Sequence, residues 1–177
     1  MIAWTPSLRR FGVVAFALAC AAPMLRSAMS SALVTRGDAL LYAHDERAQT
    51  KYLLALRIDS ANLVAADRYI FAAFLSRRGR EIEDALRVAD AVLRDHPRAA
   101  SVRMDRALCL QLLRRYAQAE PDFERVGKER GDVQALALAA ADAVRITDVQ
   151  KANGLLHLAH RIDPRYAPVR AALERLR

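Results

Sequence analysis

The sequence has few of the residues that break helices or staple small folds. Glycine and proline number only six each among 177 residues, and cysteine only two. A sheet-rich fold with many tight turns needs more glycine and proline, so this composition favours long helices. With 54% hydrophobic residues the chain can still bury the core of one ordinary domain. We therefore expect an all-α chain.

Catalytic and cofactor-binding motifs are also missing. The sequence contains no HExxH, phosphate-binding glycine loop, GxSxG or CxxC motif. His157 and His160 stand three residues apart on one predicted helix, but no carboxylate or cysteine completes a metal-binding set. We interpret both histidines as surface or packing residues, and the sequence predicts no enzyme, no cofactor and no metal site.

The charge of the chain does not indicate a nucleic-acid partner. Arg9, Arg10 and Arg26 account for three of the eight excess positive charges, which leaves +5 on the remaining chain. This excess is modest for 25 basic and 20 acidic residues, so nucleic acid is not an expected partner. One alternative stays open, the binding of acidic lipid or another polyanion by an arginine-rich face. Its residues are Arg77, Arg78, Arg80, Arg114 and Arg115.

Residues 1–28 predict export or membrane anchoring. A basic leader precedes an uncharged run from Phe11 to Leu25, and small residues follow, as in export signals. The run is shorter than the ~20 residues that usually span a bilayer, so a cleaved signal peptide and a retained anchor over residues 9–28 both stay open. Positive charge before the run sends the remaining chain across the membrane. The expected location is the bacterial periplasm, with the chain released or held at the inner membrane.

The two cysteines lie in different settings. Cys20 falls in the apolar leader and Cys109 in a helical core pattern, so no intramolecular disulfide is expected. Residues 17–20 loosely resemble a bacterial lipoprotein box, in which a cysteine after a small residue receives lipid. Lipidation of Cys20 is therefore a third fate for the leader.

After the leader a pattern recurs with a period close to 34 residues. A small residue is followed four positions later by an apolar or aromatic residue, three later by a small or branched one, and five later by a turn. The leading alanines are 37, 34 and 33 residues apart. The four copies are Ala48, Tyr52, Ala55, Ser60; Ala85, Ala89, Val92, Pro97; Ala119, Phe123, Val126, Gly131; and Ala152, Leu156, Ala159, Pro164. Such a period is that of a helix-turn-helix solenoid unit.

The chain resembles the tetratricopeptide repeat (TPR) family over about residues 31–164. In that family the second helix of each hairpin opens on a small residue, carries an aromatic residue one turn later and ends near a proline. The copy that matches best contains Ala107, Tyr116, Ala119 and Phe123. The resemblance implies an all-α, right-handed superhelical stack of about four TPR-like helical hairpins plus a C-terminal capping helix.

These considerations place a repeat domain at 29–177. Its units lie near 31–61, 64–97, 99–131 and 132–164, with the cap at 166–176. The predicted helices are 31–43, 46–58, 64–78, 81–94, 99–113, 116–129, 132–146, 149–162 and 166–176. A cap is expected because each hairpin buries its apolar face only against the next. Pro121 falls near the first turn of its helix, where its missing N–H is tolerated at the cost of a slight kink.

The resemblance also implies that the protein acts by binding a protein partner. In this family the concave surface, lined mainly by the first helix of each hairpin, receives an extended peptide or a partner helix. Helical spacing nominates as groove residues Asp67, Ile70, Phe74, Arg77, Arg78, Met104, Leu108, Gln111, Gln134 and Arg145. Phe74, Met104 and Leu108 could equally belong to the core between helices, since apolar residues at such spacing often do.

The sequence therefore predicts a non-enzymatic, exported or membrane-anchored scaffold for protein–protein interaction. An assembly or accessory role in an envelope complex would fit this prediction. The alternative is a permanent structural subunit of a membrane protein complex, anchored by its uncleaved leader.

Overall fold

The computed structural model describes residues 6–175, with side chains from residue 21 onwards. Within that range every regular element is an α-helix, which confirms the all-α prediction. The helices are α1 (Pro6–Tyr42), α2 (Arg47–Ile58), α3 (Leu63–Ser76), α4 (Gly79–Asp95), α5 (Ala100–Leu112), α6 (Tyr116–Arg130), α7 (Val133–Arg145), α8 (Val149–Ile162) and α9 (Ala167–Arg175). The bounds of α2 to α9 lie within two residues of the predicted ranges.

The chain divides into two compact units, which are Met1–Arg68 and Tyr69–Arg177. In the first unit α1 packs along α2. The predicted helix 31–43 is the C-terminal part of α1, which runs on without a break from Pro6 and includes Pro23. The leader and the first repeat helix therefore share one continuous helix.

Tyr52 of α2 forms the centre of the first unit. Its side chain is fully buried, and its hydroxyl donates a hydrogen bond of 2.8 Å to Oδ1 of Asp38. Its ring lies so close to Gly37 of α1 that a Cβ at this position would overlap it. Glycine is thus needed here for the close approach of two helices.

The packed part of α1 begins near Ser30. The buried Ser30 hydroxyl donates to the carbonyl of Ala55 at 3.0 Å and accepts a hydrogen bond of 2.8 Å from Asn62 Nδ2. One turn earlier, Arg26 Nε donates to the carbonyl of Ile58 at 3.0 Å. Residues 21–29 are all exposed, so Arg26 makes the outermost described link between α1 and α2.

Consecutive helices pack together from α4 to α9 in the second unit. Small residues of the repeat pattern, such as Ala85, Ala119 and Ala152, are fully buried, and so is the aromatic residue Phe123. Alanine at these contacts lets the helices approach closely. The final helix α9 packs on α8 and buries Val169, as expected of a cap.

All four turns that join the helices within a hairpin use the left-handed backbone region. The residues are His44 (φ 55°), Arg77 (φ 54°), Arg114 (φ 58°) and Thr147 (φ 66°). None of them is glycine, although glycine adopts this conformation at least cost. The turn geometry therefore repeats along the chain even though the turn sequence does not.

Candidate binding surface on the first helices of the hairpins

The nominated groove residues lie on or directly after α3, α5 and α7. Ile70 is fully buried, so its side chain belongs to the core and does not line a surface. Asp67 is half-buried beside Arg68, whereas Arg77, Arg78 and Gln134 are exposed. Arg78 pairs with Glu81 at 3.1 Å.

The other three nominated apolar residues, Phe74, Met104 and Leu108, are all half-buried. Phe74 stacks on Phe71 with 6.2 Å between ring centroids. Met104 packs against the buried cluster of Ala100, Val126 and Ala135, so this side chain takes part in core packing. For Met104, the structure therefore supports the alternative that this residue belongs to the core between helices.

Two nominated residues from different hairpins meet at one buried carboxylate. Gln111 of α5 donates from Nε2 to Asp142 Oδ1 at 2.7 Å, and Arg145 of α7 donates to the same oxygen at 3.0 Å. Arg145 also lies over the ring of Tyr116, with its guanidinium carbon 4.8 Å from the centroid, a cation–π distance. We call these four residues, Gln111, Tyr116, Asp142 and Arg145, the Asp142 site.

The Asp142 carboxylate is fully buried. Burial raises its pKa above the ordinary value, and the hydrogen bonds from Gln111 and Arg145 offset this only in part. Its second oxygen, Oδ2, has no hydrogen-bond partner. A buried carboxylate oxygen of this kind costs folding free energy, while the guanidinium that holds it remains about half exposed (48%).

The predicted groove residues do not include Asp142 or Tyr116, and Tyr116 appears only in the repeat pattern. Asp142 stands in the alanine-rich stretch ALALAAADAV, where an isolated acid at a core-facing position is the available signal. Its burial and its partners depend on how α5, α6 and α7 pack, which no local pattern reveals.

A second buried carboxylate fixes α4, α5 and α6 to one another. Arg106 of α5 grips Asp122 of α6 through two hydrogen bonds of 2.7 and 2.8 Å, and it also reaches Asp90 of α4 at 2.5 Å. Arg103 adds a contact of 3.3 Å to Asp122. The two arginines neutralise the two aspartates, so we interpret this network as one that stabilises the packing of the three helices.

A third charged network joins α6 to α8. Lys151 Nζ lies 2.7 Å from Glu120 and 2.8 Å from Glu124, and Lys128 reaches Glu124 at 2.5 Å. Burial raises the pKa of Glu120, despite its bond to Lys151. Burial alone would also raise the pKa of Glu124, but the two lysines overcome it and lower that pKa to about 2.

The remaining predicted sites give fewer contacts. The side chain of Cys20 and those of most of the leader lie outside the described residues. Cys109 is buried, and burial raises the pKa of its thiol to about 12. Among residues 21–175, whose side chains the structure describes, no three potential metal ligands come together, and no helix in that range has both the length and the apolar character of a membrane span.

Comparison with known proteins identifies the fold. No protein-family profile matches the chain, and no curated protein sequence matches it. Among solved structures, the MamA RS-1 ArsTM double mutant is similar with a TM-score of 0.72 at 17% identity, over 84% of this chain and 83% of that one. A tetratricopeptide repeat protein from Parabacteroides merdae gives a TM-score of 0.68 at 17% identity, over 84% of this chain and 60% of its own.

A third similar structure is TTC0263, a thermophilic TPR protein of Thermus thermophilus. Its TM-score is 0.65 at 18% identity, and the match covers 94% of this chain and 95% of that one. Identities this low establish the fold and leave the function open. The chain has the all-α helical-repeat fold of tetratricopeptide repeat proteins.

Proposed function

We propose that this protein is a non-enzymatic scaffold that binds a partner protein on the first helices of its hairpins. The observation that supports this most is the Asp142 site, where neighbouring hairpins present Gln111 and Arg145 together. The Arg145 guanidinium is held by its hydrogen bond to Asp142 and by its position over the Tyr116 ring. A guanidinium held in this way can offer its remaining N–H groups to a partner's carbonyl or carboxylate at little entropic cost.

The test begins with gentle purification of the tagged full chain from native membranes and identification of the protein that accompanies it. The affinity of that partner is then measured for the parent chain and for the double variant Gln111→Ala, Arg145→Ala. We expect at least a tenfold weaker Kd, about 1.4 kcal/mol, because both first-helix donors are lost. The matched control is Gln150→Ala, Arg161→Ala, which removes exposed residues of the second helix α8.

Unfolding curves for each variant allow binding to be compared under conditions where every chain is folded. Equal partner affinity for the parent, the double variant and the control would remove the Asp142 site from the binding surface.

We propose further that the leader delivers the repeats to the periplasmic side of a membrane, where the chain stays anchored or is released. The support is the uncharged run from Phe11 to Leu25 in the sequence, together with the exposure of apolar residues at its end and just after it. Met24 is 75% exposed, Leu25 63% and Met29 50%, so this end of α1 presents apolar surface without a protein partner on the described chain.

Fractionation and N-terminal sequencing test this location. A chain that starts at Met1 in the membrane fraction supports an anchor, a start between residues 21 and 29 supports cleavage, and a lipid-modified Cys20 supports a lipoprotein. Recovery of the full chain only from the cytosol would contradict export.

One observation favours a second role, that of a permanent structural subunit of a membrane complex. Because α1 runs from Pro6 into the first hairpin without a linker, a retained leader would hold the repeats in a fixed orientation. Such a subunit should co-purify with its complex at constant stoichiometry, whereas an accessory factor should be substoichiometric. The polyanion alternative has less support, because Arg78 and Arg115 already pair with Glu81 and Glu83.

A further inference from the structure

The first hairpin carries a cavity that the proposed function does not use. It has a volume of about 420 Å³ and opens to solvent. Its lining comes from α1 and α2 and consists of Arg36, Ala39, Leu40, Arg47, Thr50 and Lys51. Cavities of this size hold a small ligand or a few side chains of a peptide. The lining is a mainly apolar floor with three cationic side chains around it.

The positive charge of this cavity is only partly neutralised. Arg47 pairs with Asp45 at 2.6 Å, but no carboxylate stands among the lining residues beside Arg36 and Lys51. A second cavity, of about 350 Å³ in the other unit, contrasts with it. There the carboxylates of Glu83 and Asp90 are part of the lining and already pair with arginines. Of these two cavities, the first therefore has positive charge left to offer an acidic ligand.

The cavity lies on the side of the hairpin that faces away from the next helix. On α1, Asp38 pairs with Arg68 of α3, 3.4 Å away within the same unit, which marks the side of α1 that faces the start of α3. Arg36 and Leu40 each lie two residues from Asp38, about 160° around the helix. In a solenoid the opposite side of a hairpin is the one that a preceding repeat would cover. Leu54, 40% exposed on α2, extends this uncovered face.

The distance of the cavity from the apolar run favours a protein ligand over a lipid headgroup. Arg36 follows Leu25, the end of the uncharged run, by 11 residues, about 16 Å of helix. The headgroup layer of a bilayer is only about 5–8 Å deep on each side. If the leader anchors the chain as proposed above, the cavity stands beyond the lipid surface and within reach of a protein.

We propose that this cavity docks an acidic amphipathic segment of a partner protein. An apolar side chain of that segment sits on Ala39 and Leu40, while its carboxylates pair with Arg36 and Lys51. The aliphatic stems of the arginine and lysine side chains add apolar contact around the inserted group. This surface differs from the Asp142 site, and the two can be disabled separately.

A designed peptide tests the proposal on the full chain in neutral detergent. The probe is a 16-residue labelled peptide in which leucines at helical spacing alternate with glutamates, and a matched peptide carries glutamine in place of each glutamate. Fluorescence anisotropy should show at least tenfold tighter binding of the glutamate peptide. The double variant Arg36→Ala, Lys51→Ala should lose at least tenfold in affinity, and the charge-preserving variant Arg36→Lys, Lys51→Arg should retain it.

The control variant is Arg94→Ala, Arg161→Ala, which removes two exposed arginines of the other unit at the same cost in net charge. Equal loss in this control, equal binding of the glutamine peptide, or no binding by the parent chain would overturn the proposal. Binding to phosphatidylglycerol vesicles is measured as a further test. Vesicle binding that depends on Arg36 and Lys51, without peptide binding, would assign the face to lipid and overturn the peptide.

The Asp142 variants separate this proposal from the proposed function. Peptide binding that survives Gln111→Ala, Arg145→Ala supports an independent site. Peptide binding that this variant abolishes would place the peptide on the first-helix surface and overturn the assignment to the cavity.

Discussion

At the scale of single residues, the contact between Gly37 and Tyr52 decides how closely α1 and α2 approach. The Tyr52 ring occupies the space that any side chain at position 37 would need. We expect Gly37→Ala to destabilise the protein by about 1–3 kcal/mol, since the ring or the helices must shift. Urea unfolding at constant m-value measures this change.

The matched control for this prediction is Gly154→Ala. Gly154 also lies inside a helix, but a Cβ there meets no atom within 4 Å. This change should stabilise the chain by up to about 1 kcal/mol, because alanine favours the helix. If both substitutions shift the midpoint in the same direction, the ring does not set the helix spacing.

Buried residues differ in how far the sequence alone predicts them. Ala48, Tyr52 and Ala55 could be predicted as buried, because helical periodicity is a local property of the sequence. Asp142 could not, since an acid becomes a buried acceptor only when Gln111 and Arg145 of packed helices surround it. Of the four residues of the Asp142 site, the sequence therefore predicted two, Gln111 and Arg145, as groove residues.

At the scale of elements, the left-handed turns within the hairpins store strain that the sequence does not relieve. Thr147, between α7 and α8, is β-branched and has a φ of 66°, a conformation that such residues rarely adopt. We expect Thr147→Gly to stabilise the fold by about 0.5–1 kcal/mol, because glycine takes this conformation without a Cβ clash. Thermal unfolding measures the shift.

Thr35→Gly provides the comparison, since Thr35 is exposed within α1, where glycine costs about 1 kcal/mol or less. A loss of stability at both positions would show that the turn is not strained.

Helix positions were predictable to within two residues for α2 to α9, because caps, turn residues and apolar stripes are written locally. The full extent of α1 was not. The sequence changes from an apolar run to a repeat near residue 28, and this change in composition is not accompanied by a break in the helix. Proline usually breaks or kinks a helix interior, yet α1 continues through Pro23, so no local signal marks where the leader ends and the repeat begins.

At the scale of the whole molecule, the half-buried Glu124 and the buried Asp142 shape the response to acid. Glu124 has a pKa lowered to about 2, so its ion pairs contribute stability above pH 4.5, and this contribution is lost as the pH falls through about 2. Asp142 acts in the opposite sense. Its pKa is raised in the folded protein. The contribution of Asp142 to stability is therefore fully present below pH 3.8 and is lost as the pH rises through the higher folded pKa.

Unfolding free energies between pH 2 and pH 7 should separate these contributions. Compared with the parent, Glu124→Gln should lose stability at neutral pH, by at most about 3 kcal/mol, and should converge with it near pH 2. Asp142→Asn should remove the decline that accompanies rising pH. Glu174→Gln, at an exposed position of α9, should follow the parent throughout, and a Glu124→Gln curve parallel to the parent would contradict the assignment.

The continuity of α1 also bears on how a leader could be removed. A processing peptidase cleaves an extended backbone, so α1 must first unwind around the cut. Residues 21–25 are exposed and can unwind without disturbing the first hairpin. A cut after Arg26 removes its bond to Ile58, and a cut after Ser30 opens the buried contact with Ala55. A cut on the N-terminal side of Arg26 therefore keeps both of these bonds between α1 and α2, whereas a cut further along the helix costs the folded repeats first one and then the other.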